Sequence, residues 1–159
     1  MDAPAAIALV RTTSLSSLVE AEVILIGVSR TSKTPTCIYL ANRGIKAANV
    51  PYVPGVALPE EIETLNARPD GPLFVGLTND PSLLVQLRRN RLNMLNEQRD
   101  TDYVDIEKVR EEVVAARRFF TQRGWPVIDV ARRSIEETAA QVMTMVQERR
   151  ERAPAAGPA

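Results

Sequence analysis

The chain has 159 residues, of which 45% are hydrophobic and 25% are charged, a composition typical of one globular domain. Its twenty basic and twenty acidic residues cancel and only 4% of residues are aromatic, which disfavours nucleic acid or an anionic membrane as a partner. The chain contains no histidine, which argues against a Ser-His-Asp hydrolase and against a zinc enzyme.

Residues 1–20 have no clear hydrophobic period and are predicted to form a short lead-in. No apolar run approaches the ~20 residues that span a bilayer, and Asp2 without a basic segment argues against a signal peptide. A single cysteine, Cys37, excludes an internal disulfide framework, so we expect a cytoplasmic protein. The Cys37 thiol is predicted to be packed rather than reactive.

The segment after the first apolar run has the pattern of a phosphate-binding loop. Residues 22–26 are typical of a buried parallel strand, and residues 38–41 continue a helical pattern that stops at Gly44. The loop matches the phosphate-loop pattern, with serine in place of its second glycine, over Gly27, Val28, Ser29, Arg30, Thr31, Ser32, Lys33 and Thr34. The alternative is a Ser/Thr-rich connection whose lysine is simply solvated.

Three residues of this loop carry the chemistry that a bound nucleotide requires. Gly27 supplies the tight turn, Lys33 reaches the terminal phosphates, and the hydroxyl of Thr34 binds Mg²⁺. Pro35 is compatible with the first turn of the following helix, where its missing N–H has no partner to lose.

The middle of the chain is predicted to alternate between strands and helices. The expected elements are a strand end or edge strand over 49–53, a short helix near 60–65, a buried strand over 73–77, a helix opened by Pro81 and a packing helix from 102 to 123. Arg88, Arg89 and Arg91 crowd one helical turn and form either a solvated face or, beside a phosphate loop, a lid or substrate-phosphate cluster.

The end of the chain completes the pattern. A fourth strand is predicted over 127–130, and Ser134 with Glu137 forms a capping box that opens the last helix. Residues 151–159 are expected to be a disordered tail, which leaves 21–150 as the domain. Alternation of strands and helices indicates an α/β fold with a parallel sheet flanked by helices. Asp80 and Asp129 follow apolar strands and are candidate catalytic carboxylates, or else capping residues or solvated turn residues.

Several of these segments together resemble the kinase/pyrophosphorylase regulatory family, which comprises regulatory proteins of pyruvate, phosphate dikinase and of phosphoenolpyruvate synthase. The resemblance extends over residues 21–146 and is carried by GVSRTSKTP at 27–35, IYLANRGIKAA at 38–48, NVPYVPG at 49–55, RRNRL at 88–92, DTDY at 100–103 and WPVIDVARRSIEETAA at 125–140. The resemblance implies longer chains, with a substantial region before the phosphate loop. We therefore expect this chain to correspond to the C-terminal nucleotide-binding part, with a P-loop kinase-like fold.

The resemblance implies a bifunctional serine/threonine kinase and pyrophosphorylase. Family members phosphorylate a threonine of their target enzyme with ADP as donor, and remove that phosphate with inorganic phosphate to release pyrophosphate. The resemblance assigns residues 27–34 to ADP binding and makes the dikinase or the synthase the partner. A small-molecule P-loop kinase and a non-catalytic nucleotide-binding module are the alternatives, and whether the chain forms a homo-oligomer is left open.

Overall fold

Strands and helices alternate along the chain in the computed structural model, which describes residues 18–95 and 101–152. The elements are β1 (Val23–Gly27), α1 (Lys33–Asn42), β2 (Ala47–Pro51), α2 (Glu60–Ala67), β3 (Leu73–Thr78), α3 (Pro81–Leu95), a 3₁₀ turn (Thr101–Val104), α4 (Ile106–Gln122), β4 (Val127–Asp129) and α5 (Ile135–Arg152).

The four strands form one parallel sheet in the order β2-β1-β3-β4. Val23 of β1 pairs with Leu73 of β3, and Gly27 pairs with Leu77, so these two central strands end at the same edge. Both strands are almost entirely buried, as their β-branched and apolar residues predict. The carboxyl ends of the strands therefore meet along one edge, where ligands bind in open α/β sheets.

Alternate residues of β1 face two separate cores, because successive side chains of a strand point to opposite faces. Val23 and Leu25 pack with α1 and α5, whereas Ile24 and Ile26 pack with α2, α3 and α4. Helices thus cover both faces of the sheet. The fold is the α/β architecture that the sequence predicted, and among residues 18–95 and 101–152 no helix combines the length and apolar character needed to cross a membrane.

The predicted packing helix from residue 102 to 123 begins later than expected. Thr101–Val104 form a 3₁₀ turn, and α4 begins at Ile106. The side chain of Asp105 accepts hydrogen bonds from the backbone N–H groups of Glu107 and Lys108 and caps this start. The prediction was wrong here because Tyr103 lies three residues before Ile106. A spacing of three residues occurs in a 3₁₀ turn as well as in an α-helix.

The two ends of the chain also differ in part from the expectations. Residues 18–20 are helical and Leu18 is buried in the core, so the lead-in is not wholly without structure. At the other end α5 continues to Arg152, which makes residues 151 and 152 helical rather than part of a tail. Residues 1–17 and 153–159, on which the rest of these two predictions falls, lie outside the described residues.

Candidate phosphate-binding site

The predicted phosphate loop lies at the carboxyl edge of the sheet, between β1 and α1. Only glycine fits at its first position, because a Cβ on Gly27 would lie 2.7 Å from the carbonyl oxygen of Leu77 and 2.7 Å from Oγ1 of Thr31. The loop then turns tightly enough for Thr31 Oγ1 to donate to the Val28 carbonyl oxygen at 2.9 Å. Thr31 is fully buried, and the hydrogen bond from its hydroxyl stabilises the turn.

Two residues of the loop adopt the left-handed conformation. Arg30 has a φ of 69° and Ser32 a φ of 63°. Ser32 stands where the phosphate-loop pattern has its second glycine, and this φ is the physical reason for a glycine there. Serine adopts the same conformation at a cost of about 1–2 kcal/mol.

The amino end of α1 is open toward a ligand. Ser32 is the N-cap of α1, but its side chain makes no capping hydrogen bond, and the first turn contains no acidic residue. The N–H groups of the first helical turn have no partner within their own helix and carry a partial positive charge. An anion is the partner that such a helix end accepts best.

Lys33 folds back over the loop. Its Nζ donates to the Val28 carbonyl oxygen at 2.7 Å and lies 3.3 Å from Thr31 Oγ1. Burial lowers the pKa of Lys33 from 10.5 to about 7, and the neighbouring charge of Arg30 contributes to this lowering of the pKa. An anionic ligand would offset both effects and favour the protonated form of this lysine.

An open cleft of about 260 Å³ adjoins the loop. It is lined by Arg30, Thr31, Ser32, Lys33, Thr34, Pro35 and Leu87. Thr34 is exposed in the first turn of α1 and is one of these lining residues. Within the part of the chain that the structure describes, His, Cys, Asp and Glu side chains form no cluster of three or more that could hold a metal.

The three arginines predicted as one cluster do not converge. Arg88 is buried, with 1% of its surface exposed, whereas Arg89 is exposed and Arg91 is half-buried. The guanidinium of Arg88 forms an ion pair with Glu112 of α4 at 2.5 Å and donates to the carbonyl oxygens of Ser29 and Tyr103, each at 3.3 Å. Arg88 thus supports the phosphate loop from behind and does not line the cleft.

The two predicted catalytic carboxylates act on the backbone in this structure. Asp80 Oδ1 accepts hydrogen bonds from the N–H groups of Ser82 and Leu83 and caps α3. Asp129 Oδ1 accepts one from the N–H of Ala131. Both side chains are at the carboxyl edge and exposed. The capping alternative describes the contacts of Asp80, and the turn-residue alternative describes those of Asp129.

Two residues near the loop were not among the predicted site residues. Glu112 pairs with Arg88, and the hydroxyl of Tyr103 lies 3.0 Å from Oγ of Ser29. Both come from α4 or the turn before it, far along the chain from the loop. Tyr103 belongs to the DTDY segment that carries part of the resemblance, which was the one signal that could have indicated it.

This chain is similar to a described protein family and to several named proteins. A family model described as Kinase/pyrophosphorylase matches residues 11–143. A protein of Caulobacter vibrioides is 57% identical over 129 residues, and one of Paramagnetospirillum magneticum is 56% identical over 128 residues. A protein of Hyphomonas neptunium is 54% identical over 136 residues. All three carry the name "Putative pyruvate, phosphate dikinase regulatory protein".

These matches cover most of this chain but less than half of each relative. They span 81%, 80% and 86% of this chain, and 40%, 40% and 48% of the relatives from Caulobacter, Paramagnetospirillum and Hyphomonas, respectively. The matched family region includes the whole phosphate loop, its strand and its helix. The chain therefore belongs to the kinase/pyrophosphorylase family.

Proposed function

We propose that this chain is the nucleotide-binding part of an ADP-dependent serine/threonine kinase and phosphate-dependent pyrophosphorylase. Its target would be pyruvate, phosphate dikinase or phosphoenolpyruvate synthase, which it would inactivate by threonine phosphorylation and reactivate by removing the phosphate. The names of the relatives support the dikinase as target, and the family supports the phosphotransferase class. The chain spans less than half the length of those relatives, so the activity of the whole protein is part of what we propose.

The observation that carries the proposal is the open amino end of α1 beside Lys33. Ser32 leaves the first-turn N–H groups uncapped, and the nearest lysine is held against the loop with a pKa of about 7. Free helical N–H groups, a lysine and an exposed hydroxyl on Thr34 form the set that binds a nucleoside diphosphate with Mg²⁺. A βα connection that only joins the strand to the helix, with a solvated lysine, would not need this combination of features.

In the forward reaction the threonine oxygen of the target attacks the terminal phosphorus of ADP, the bond from that phosphorus to the bridging oxygen breaks, and AMP leaves. The proton of the threonine hydroxyl is released to solvent. Lys33 and Arg30 would offset the negative charge on the transferring group. In the reverse reaction an oxygen of inorganic phosphate attacks the phosphothreonine phosphorus, and the bond from that phosphorus to the threonine oxygen breaks. Pyrophosphate forms, and the threonine oxygen takes up a proton to restore the hydroxyl. Phosphate is already a competent nucleophile, so a chain without histidine is suited to this step.

The proposal is tested by calorimetric titration with Mg·ADP of the parent chain and of two matched lysine variants. Lys33→Ala removes the loop lysine. Lys46→Ala removes an exposed lysine that precedes β2, at the opposite edge of the sheet. We expect the Lys33→Ala protein to lose binding while the Lys46→Ala protein retains it. Circular dichroism spectra establish that all three proteins are folded.

Equal affinity in the parent and the Lys33→Ala protein would contradict the proposal. If the parent binds, ADP labelled in its terminal phosphate is then incubated with the chain and a purified dikinase or synthase. Label on a target threonine supports the kinase. Binding without transfer favours the non-catalytic nucleotide-binding module, and transfer to a small acceptor instead favours a small-molecule kinase.

A further inference from the structure

The buried guanidinium of Arg88 is bonded to the backbone of the phosphate loop. Its Nη2 donates to the Ser29 carbonyl oxygen at 3.3 Å. The guanidinium also donates to the carboxylate of Glu112 and to the Tyr103 carbonyl oxygen. The guanidinium also lies over the Tyr103 ring, 4.8 Å from the ring centre. A charge buried this deeply is held in one place by its partners.

This contact fixes the orientation of one peptide group. The peptide bond between Ser29 and Arg30 is trans, so its C=O and N–H point in opposite directions within one plane. Because the Ser29 carbonyl points toward Arg88, the N–H of Arg30 points away from Arg88. Arg30 lines the cleft, whereas Arg88 does not.

We propose that Arg88, held by Glu112, is a positioning residue that aims the Arg30 N–H at the bound phosphate. This inference rests on the proposed nucleotide binding. It adds that Arg88 and Glu112 hold the loop in the conformation that binds the phosphate. Tyr103 is a second support, because its hydroxyl bonds to Ser29 Oγ and its ring packs against Arg88. The arginine thereby acts on the anion through the backbone and not by contact.

The direction in which one substitution changes the affinity for Mg·ADP distinguishes a positioning role from a purely electrostatic effect. Glu112→Gln removes a negative charge close to an anion site, and Coulomb's law alone would then raise the affinity for Mg·ADP. Positioning requires the opposite. The glutamine side chain keeps only one oxygen and no charge to hold the guanidinium of Arg88, so the loop is positioned less firmly. We therefore expect the affinity for Mg·ADP to fall about tenfold.

A matched control is available at the other edge of the sheet. Glu63 of α2 pairs with Arg123 at 2.9 Å, just before β4, so Glu63→Gln weakens another arginine–glutamate pair, a more exposed one that lies away from the loop. Titration of the parent, Glu112→Gln and Glu63→Gln proteins with Mg·ADP should show a loss in Glu112→Gln alone. The amide resonance of Arg30, followed by ¹⁵N–¹H spectroscopy, should shift in free Glu112→Gln protein and not in Glu63→Gln.

Tyr103→Phe is the second variant should Glu112→Gln fail to fold. It keeps the ring under Arg88 and removes only the hydroxyl that contacts Ser29, so about a threefold loss of affinity is expected. Unchanged or increased affinity in a folded Glu112→Gln protein overturns the positioning role while leaving the proposed function intact. A folded parent that does not bind Mg·ADP overturns the proposed function, and the positioning role with it.

Discussion

Replacement of Gly27 by alanine tests how closely β1, β3 and the phosphate loop are packed. The added Cβ would lie 2.7 Å from the Leu77 carbonyl oxygen and 2.7 Å from Thr31 Oγ1, closer than real Cβ contacts. Neither neighbour can move freely. The Leu77 oxygen belongs to the backbone of a central strand, and the Thr31 hydroxyl is bonded to Val28 inside the buried turn.

The magnitude follows from this lack of space. Gly27 is not among the glycines with a positive φ, so its substitution costs free energy through crowding alone. Overpacking of a well-packed interior costs about 1–3 kcal/mol. We expect the free energy of unfolding to fall by about 2 kcal/mol, which lowers the Tm by roughly 4–8 °C in a chain of this size.

The assay combines urea denaturation with Mg·ADP titration, and Gly44→Ala is the control. Gly44 ends α1 with a φ of +83°, and a Cβ added there would have nothing within 4 Å, so alanine at this position is strained but not crowded. Both variants should lose stability. Only Gly27→Ala should also lose affinity for Mg·ADP, because Thr31 and the loop must shift. A Gly27→Ala protein with parental stability and parental affinity would refute the packing argument.

Three further outcomes are expected. The pKa of Lys33 is lowered to about 7, so between pH 7 and 10.5 the unfolded chain binds more protons than the folded chain. The free energy of unfolding should therefore rise with pH in that window. Urea titrations at several pH values measure this rise, which should be smaller in the Lys33→Met protein. Burial raises the pKa of Cys37 to about 12, so a disulfide reagent should modify this thiol far more slowly in the native protein than in urea. Ser134→Ala should lower the free energy of unfolding by about 1 kcal/mol, measured by urea denaturation, because it removes the hydroxyl that caps α5.

Elements that depend on local patterns were predictable from the sequence. Strands β1 and β3 are continuous apolar runs, and a run of that kind has few alternatives to a buried parallel strand. The Ser134 and Glu137 capping box was confirmed by reciprocal hydrogen bonds of 3.0 Å and 3.1 Å. The prediction that Cys37 is packed was also confirmed, since this residue lies on the buried face of α1.

Contacts between distant segments were not predictable in this way. Nothing near Ser29 in the sequence indicates that the hydroxyl of Tyr103 lies 3.0 Å from its side chain, because 74 residues separate the two. The carboxylate that pairs with Arg88 comes from α4, and no spacing rule relates α4 to a loop that precedes it by several strands and helices. The sequence could therefore indicate the candidate phosphate loop but not the contacts that hold that loop in shape.

The position of Arg88 follows from a period that was already visible in the sequence. Arg88 stands four residues after Leu84 and four before Leu92, and both leucines are buried, so the same helical face buries the arginine. A buried guanidinium requires a charged partner, which Glu112 provides from the neighbouring helix. With its charge offset in this way, Arg88 contributes little to binding an anion directly. Lys33, the exposed Arg30 and the uncapped end of α1 must then supply the positive field of the site.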